Sequence, residues 1–250
     1  MRHRLTLGLM FLGVLVTPML AAGQSPTTRP ATQPGTDVAS LKRMIVALED
    51  ENYQTREASR VALMGLKRSD LENFQKAVKA CLPLEPSQVA VLRDIVTQVY
   101  LSGEKYPAEE GAAGFLGISL ANGSREEDQG LLNVERGIVV ASRVPGFCAF
   151  RVLQTGDVIL AMTTPKRVVF ESPDPNDLFM LTVKTVGAGQ SIGFEVLRQG
   201  QIINVSLTLD PRPAGISQLG AIQEFTAIRM EKAEEYWNKE FAPLLSDPVG

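Results

Sequence analysis

The spacing of apolar residues changes twice along this chain, and each pattern predicts a different kind of structure. Between residues 37 and 101, apolar side chains recur three and four positions apart, as in Leu41, Met44, Ile45 and Leu48. This spacing places them on one face of an α-helix. Four such segments follow one another with short links between them. They predict a helical module built from two helical hairpins.

Two polar patterns in this module predict where helices begin. Ser69 stands three residues before Glu72, the spacing of a capping box. Thr55 stands near the start of the second segment and is expected to cap it.

Between 113 and 210 the pattern becomes that of β-strands, rich in Val and Ile and partly alternating. The predicted strands are GIVVASRV (137–144), GDVILAM (156–162), SIGFEVLRQG (191–200) and QIINVSLTL (201–209). The RQGQ turn between the last two predicts a hairpin with Gly200 in a left-handed conformation. One helix interrupts the strands, from Asn176 to Val186, and Gly187 ends it.

Residues 218–245 return to helical spacing and predict one amphipathic helix. We expect Phe225, Trp237 and Phe241 to be buried against another element, most naturally the helical module. The predicted fold class is therefore α+β and multidomain, with N-terminal α-helical hairpins, a β-sandwich or partly open barrel with one main helix, and a C-terminal amphipathic helix.

The first residues have the pattern of a targeting segment. Arg2 and Arg4 precede a twelve-residue apolar stretch, and the small residues Ala21-Ala22-Gly23 follow. This order predicts a signal peptide over 1–23, with an uncleaved anchor as the alternative. Residues 24–36, rich in Pro and Thr, predict a flexible linker. The mature protein is then expected to be exported, periplasmic or secreted, without a stable membrane span.

Removal of the signal peptide limits the chemistry of the mature protein. His3 is the only histidine of the sequence, so no histidine remains for a catalytic triad, general acid–base catalysis or a His-ligated zinc. Losing Arg2 and Arg4 leaves 23 basic against 28 acidic residues, a net charge of −5. A nucleic-acid partner is not expected at this charge. No catalytic residue, metal site or cofactor is predicted.

Cys81 and Cys148 are too far apart in sequence for CxxC chemistry. An oxidising compartment would permit a disulfide between them. Two buried free thiols are the alternative.

Four segments in order give residues 113–210 a resemblance to PDZ domains of the type found in bacterial envelope proteases. They are GFLGISL, GIVVASRVPGFCAF, LQTGDVILAM and NDLFMLTVKTVGAGQSIGFEVLRQGQ. The sequence departs from the family at two places. Phe147-Cys148 replaces a small Ser/Ala pair, and Val152 replaces a glycine.

The resemblance implies a peptide-binding site. Leu116, Gly117 and Ile118 would form the loop that binds the carboxylate of a peptide C-terminus through backbone N–H groups. Ile118, Ser119 and Leu120 would pair with the peptide as a strand. The last peptide side chain would enter a pocket lined by Ile118, Phe179 and Val183. The sequence pattern gives no stability reason for glycines on both sides of Phe115-Leu116. Binding of an anion by backbone N–H groups gives such a reason, and we attribute the two glycines to it.

The helical pairs resemble HEAT-type repeats, and YQTREASRVAL (53–63) carries that similarity. A generic four-helix bundle is the alternative. Two repeats alone would be marginal, so the C-terminal helix is expected to cap them.

The expected function is that of an exported, non-catalytic binding protein for protein C-termini or extended peptides of envelope proteins. Its role would be that of a scaffold, an adaptor or a chaperone-like factor, with an envelope protease as a possible partner. The alternatives are a structural PDZ fold without a ligand, an accessory subunit of an envelope protease, and an enzyme with an acidic site.

Overall fold

The helical spacing of residues 37–101 produces four consecutive helices. A computed structural model describes residues 36–246, except 112, 122–136, 165, 167–168, 172–173, 175–176, 179 and 217–220. The predicted signal peptide and nearly all of the predicted linker lie outside these residues. The four helices are α1 (Val38–Val46), α2 (Tyr53–Met64), α3 (Leu71–Lys79) and α4 (Pro86–Ser102).

The helix starts differ from the predicted caps. Asn52 caps α2, because its side-chain oxygen accepts the N–H groups of Gln54 at 2.8 Å and Thr55 at 3.3 Å. Before α3, Asp70 accepts the N–H of Lys67 at 2.9 Å and closes a 3-10 turn. Glu72 instead binds Lys76 one turn further along α3. The caps predicted at Thr55 and Ser69 are therefore wrong.

The apolar faces of these helices form one core, and the C-terminal helices complete it. Helices α7 (Ala221–Glu240) and α8 (Ala242–Ser246) follow the β region. Trp237 and Phe241 are buried in the helical core, and Phe225 is half-buried. The predicted burial of this helix against the helical module is confirmed for Trp237 and Phe241.

The described residues between 113 and 211 form two antiparallel sheets and include two short helices. The strands are β1 (Gly114–Phe115), β2 (Ile118–Ala121), β3 (Ile138–Arg143), β4 (Val158–Thr163), β5 (Val169–Glu171), β6 (Ser191–Arg198), β7 (Gln201–Thr208) and β8 (Asp210–Pro211). The order of the larger sheet is β2-β3-β4-β6-β7, with β5 also paired to β4, and β1 pairs with β8. The helices are α5 (Cys148–Val152) and α6 (Met180–Val186), which is wound as a π-helix.

The hairpin between β6 and β7 has the two-residue turn that its sequence predicts. Arg198 pairs with Gln201, and both turn residues have positive φ, 49° at Gln199 and 78° at Gly200. Along β6, every second side chain is buried in a second core. The fold is thus mixed α+β, and the two sheets do not close into a barrel within the described residues.

The helices α1–α4 and α7 form a helical layer, and a buried ion network joins this layer to the larger sheet. Arg198 of β6 binds Asp157 at 2.7 and 2.8 Å and Glu57 of α2 at 3.2 Å. Glu57 also binds Arg60, whose guanidinium donates to the carbonyl of Arg151 at 3.1 Å. All described residues accordingly belong to one compact unit.

Candidate peptide-binding loop

The predicted carboxylate-binding loop, Leu116-Gly117-Ile118, joins β1 to β2. Pairing of β1 with β8 places Phe115 opposite Asp210, and pairing of β2 with β3 places Ile118 opposite Arg143. Two sheets therefore fix the two ends of the loop. Gly117 between them has a φ of 72°.

The carbonyl groups of Leu116 and Gly117 point into the protein, toward the segment 144–149. The N–H of Val144 donates to the carbonyl of Gly117 at 2.7 Å, and the N–H of Ala149 donates to that of Leu116 at 3.3 Å. The thiol of Cys148 lies 3.5 Å from the carbonyl oxygen of Phe115. The carbonyls of Phe115, Leu116 and Gly117 thus each have a donor inside the fold.

The N–H groups of the loop are not used in the same way. Within the described part of the chain, no backbone or side-chain group accepts from the N–H of Leu116 or Gly117. Unpaired backbone N–H groups on successive residues form a site for an anion. These two N–H groups are the donors that the predicted carboxylate site would use, and that site stays a prediction.

The register of β2 leaves the N–H group of Ile118 without a partner in β3. The bond from Val144 N–H to Gly117 C=O flanks the Ile118–Arg143 pair, which makes that pair a non-hydrogen-bonded one. The N–H and C=O of Ile118 therefore point away from β3. Because β2 is the end strand of its sheet among the described residues, these two groups lie on an open edge.

The side chains of β2 follow the same alternation. Ser119 is exposed, whereas Ile118 and Leu120 are half-buried and pack against the sheet core. A bulge between Ser119 and Leu120 shifts the register of the β2–β3 pair. An added strand would therefore meet regular geometry mainly around Ile118.

Helix α6 lies beside the loop, because its C-terminal turn packs against β1. A Cβ on Gly114 would come within 2.7 Å of the Thr182 carbonyl oxygen and 3.0 Å of the Gly187 carbonyl carbon. Phe179 and the side chain of Val183 lie outside the described residues. Their place in a pocket remains a prediction from the resemblance.

Both glycines around Phe115-Leu116 have reasons inside the fold. A Cβ on Gly114 would also come within 2.7 Å of Leu209 Cδ1, and one on Gly117 within 2.6 Å of Phe147 Cβ. Both distances are too short for real Cβ atoms. The sequence-based argument that only anion capture requires these glycines is therefore wrong.

Phe147 packs against the loop at Gly117. The resemblance to PDZ domains would place a small residue at this position. Phe147 is 1% exposed, and its ring contacts Phe115 at a centroid distance of 4.8 Å. The rings of Tyr106 and Phe225 lie 5.8 and 6.2 Å from it. The guanidinium of Arg229 lies 4.8 Å from the same ring. The bulk of Phe147 was visible in the sequence, but its partners in α7 and before β1 were not.

Comparison with known proteins gives partial structural similarity. No protein-family model and no curated protein sequence matches the chain. The HtrA-type protease AlgW with a decapeptide is 29% identical, with 50% of this chain and 35% of that chain covered and a TM-score of 0.35. AlgW with a tripeptide is 34% identical, with 40% and 32% covered and a TM-score of 0.34. The match thus spans about a third of AlgW.

A further similar structure is the PDZ domain of a carboxy-terminal protease from Vibrio cholerae in complex with a peptide. It is 17% identical, with 39% of this chain and 94% of that chain covered and a TM-score of 0.31.

The two cysteines are free, so the disulfide that the sequence left open is not formed. Burial and the neighbouring Asp210 raise the pKa of the Cys148 thiol far above its ordinary value. Burial also raises the pKa of Cys81. Both side chains are therefore thiols, not thiolates, at neutral pH.

A cleft of about 290 Å³ separates the helical layer from β7 and β8. Gln98, Phe147, Arg151 and Asp210 are among its lining residues. Asp210 accepts the N–H of Cys148 at 2.5 Å, and burial raises the pKa of its carboxyl. Asp210 thereby holds α5 against β8.

Neither a metal-binding cluster nor a membrane-spanning helix is present among the described residues. No group of three His, Cys, Asp or Glu side chains there could hold a metal ion. No helix in that part of the chain is long and apolar enough to cross a membrane.

Proposed function

We propose that residues 113–210 form a PDZ domain that binds the C-termini, or extended segments, of envelope proteins. The peptide carboxylate accepts from the N–H groups of Leu116 and Gly117, and the peptide continues as a strand along Ile118–Leu120. The last side chain enters a pocket beside α6, where Phe179 and Val183 belong by the resemblance.

One observation carries this proposal, and it is the division of the loop into two faces. The carbonyls of Leu116 and Gly117 accept from the N–H groups of Ala149 and Val144, whereas the N–H groups of Leu116 and Gly117 donate to no group among the described residues. The outward groups of Ile118 continue this face along the edge of β2. A carboxylate followed by an extended backbone matches such a row of donors and acceptors.

We further propose that the protein is exported and does not catalyse a reaction. The signal-peptide pattern of residues 1–23 supports export, and it leaves the mature chain without histidine. The raised pKa of Cys148 and of Cys81 argues against a thiolate nucleophile. The role is then that of a scaffold, an adaptor or an accessory factor of an envelope protease.

The helical module is proposed to be a short HEAT-like unit capped by α7. The buried positions of Trp237 and Phe241 in its core support this arrangement. A generic helical bundle would bury the same residues, so the repeat character depends on the sequence resemblance.

Calorimetric titration of the chain from Gln24 onward tests peptide binding. The probes are decapeptides ending in Val, Leu, Phe or Ala, each as the free acid and as the C-terminal amide. We expect the free acids with large apolar ends to bind in the micromolar range (about −8 kcal/mol). Amidation should weaken binding at least about tenfold, because it removes the anion. N-methylation of the peptide residue opposite Ile118 should do the same, because it removes a strand hydrogen bond.

A pair of variants on α6 tests the pocket. Val183→Glu should abolish binding, because it places a carboxylate beside that of the peptide. Thr185→Glu adds the same charge at an exposed position of the same helix and should leave binding unchanged. Equal affinities for acid and amide would mean that the loop is not a carboxylate site. No binding by any probe would favour a structural PDZ fold without a ligand.

A further inference from the structure

The proposed binding loop is connected to the C-terminal helix by a tightly held turn, Pro145-Gly146-Phe147. On one side, the residues that flank this turn bind the loop. The N–H of Val144, before the turn, donates to the Gly117 carbonyl, and the N–H of Ala149, after it, donates to the Leu116 carbonyl. On the other side, the turn is held by the buried Gln98 of α4, which accepts the Gly146 N–H at 2.7 Å and donates to the Phe147 carbonyl at 3.3 Å.

Arg229 of α7 is the centre of this connection. It is 3% exposed, and it donates to the Leu101 carbonyl at 2.8 Å and to Glu104 at 3.0 Å. A Cβ on Gly146 would overlap its guanidinium, so the turn and Arg229 are in full contact. The same guanidinium lies against the rings of Phe147, Phe225 and Tyr106 at 4.8, 5.1 and 5.7 Å.

Phe147 transmits this contact to the loop. Its Cβ occupies the space where a side chain at Gly117 would stand, and its ring meets Phe115 edge-on. Phe147 is thus in contact with Gly117 on one side and with Arg229 on the other. A small residue at 147 would leave a gap between the loop and α7.

We infer that α7 holds the loop 115–118 in its anion-binding conformation, with Arg229 and Phe147 as positioning residues. The role of this loop in peptide binding rests on the proposed function, but the contact between α7 and the loop can be tested without a peptide. Release of α7 from α4 opens the loop, and by thermodynamic reciprocity a bound peptide stabilises the docked α7. Docking of α7 and binding of a peptide therefore each favour the other.

Hydrogen exchange of two backbone amides tests the inference without any peptide. Val144 and Ala149 donate their N–H groups to the loop carbonyls, so their protection measures closure of the loop. Reference amides are Gly189 and Leu209, which bond within the same module on the β6–β7 side. Arg229→Lys keeps a charge beside Glu104 but cannot stack flat against the rings.

Arg229→Lys should speed exchange at Val144 and Ala149 about tenfold more than at the two reference amides. The matched control is Lys232→Met, because Lys232 binds the same Glu104 at 2.8 Å from a half-exposed position. It should change the ratio less than twofold. If all four amides change together, or if both variants act alike, α7 does not hold the loop. Arg229→Met serves as the stronger variant, read by the same ratio.

A second arm uses the decapeptide ending in Val with a free carboxylate. Arg229→Lys should weaken its binding about tenfold, a size within the usual range of coupling between sites, while Lys232→Met leaves it within twofold. Unchanged affinity in Arg229→Lys would overturn the inference. If the unmodified protein binds no peptide, the proposed function fails, and the exchange ratio still decides whether α7 holds the loop.

Discussion

Gly117 combines a left-handed φ of 72° with a packing neighbour that leaves no room for a side chain. From the sequence alone, we interpreted this glycine as a requirement of carboxylate binding. The neighbour is Phe147, thirty positions away, and no local pattern indicates that contact. Internal packing and anion capture are compatible, because the Cα faces Phe147 while the N–H has no acceptor among the described residues.

Substitution of Gly117 by Ala separates conformational strain from the clash with Phe147. Gly189 is the matched control, because its φ of 76° is nearly the same and no atom lies within 4 Å of its Cβ position. Both variants should lose about 1–2 kcal/mol for an L-residue in this conformation. Gly117→Ala should lose about 1–3 kcal/mol more, because it overpacks the core. Urea unfolding without peptide measures both, and equal losses would show that Phe147 moves aside at no cost.

At the scale of elements, long periodic segments were predictable from the sequence and their ends were not. The helical spacing gave α1 to α4, and the pattern of apolar residues gave β6, β7 and the Gly200 turn. The predicted caps are wrong because both residues lie inside helical turns: Thr55 follows the start of α2 at Tyr53, and Ser69 lies in the 3-10 turn Arg68–Asp70. The periodic pattern does not fix a helix start to within two residues. Pairing of β1 with β8 was also missed, since two-residue strands have no period.

Helix α7 has one face in the helical core and one face in solvent, and two variants measure the difference. Trp237 is 5% exposed and stacks on Phe241 with centroids 5.6 Å apart. Trp237→Ala should cost about 3–5 kcal/mol of unfolding free energy, because it leaves a cavity. Ile228 on the same helix is 50% exposed, and Ile228→Ala should stay within about 0.5 kcal/mol. Similar losses in urea unfolding would contradict docking of α7 on this core.

At the scale of the whole molecule, the two cores are joined by charged and aromatic groups that the sequence pattern left in separate modules. Arg198 ends a strand and Glu57 lies within a helix, and nothing between them in sequence indicates their 3.2 Å contact. Asp157, part of the Gly-Asp signature of the PDZ resemblance, completes the network. Buried ion pairs of this kind are visible only after the modules are docked. The general α+β class was predictable, but the contacts that join the loop 116–118, α7 and the other helices were not.

The acid stability of the protein should depend on Glu57 in this network. Burial raises the pKa of Glu57, but the hydrogen bond from Arg60 and the charges of Arg60 and Arg198 outweigh it and hold the pKa below its ordinary 4.5. The charged form of Glu57 therefore contributes fully to the free energy of unfolding above pH 4.5. This contribution is lost as the pH falls through the pKa of Glu57 in the folded protein. Glu57→Gln should cost about 2 kcal/mol at pH 7, because Arg198 and Arg60 lose a buried partner.

That difference between Glu57→Gln and the unmodified protein should shrink below pH 4.5. Other shifted carboxyls, such as Asp210, are the same in both proteins and cancel in the comparison. Glu72→Gln is the control, because Glu72 also pairs with a cation, Lys76 at 2.6 Å, but on an exposed helix surface where solvent screens the pair. Urea unfolding from pH 7 to pH 3 measures all three proteins. A difference for Glu57→Gln that stays constant over this range would show that shape, and not charge, joins the helical layer to the sheet.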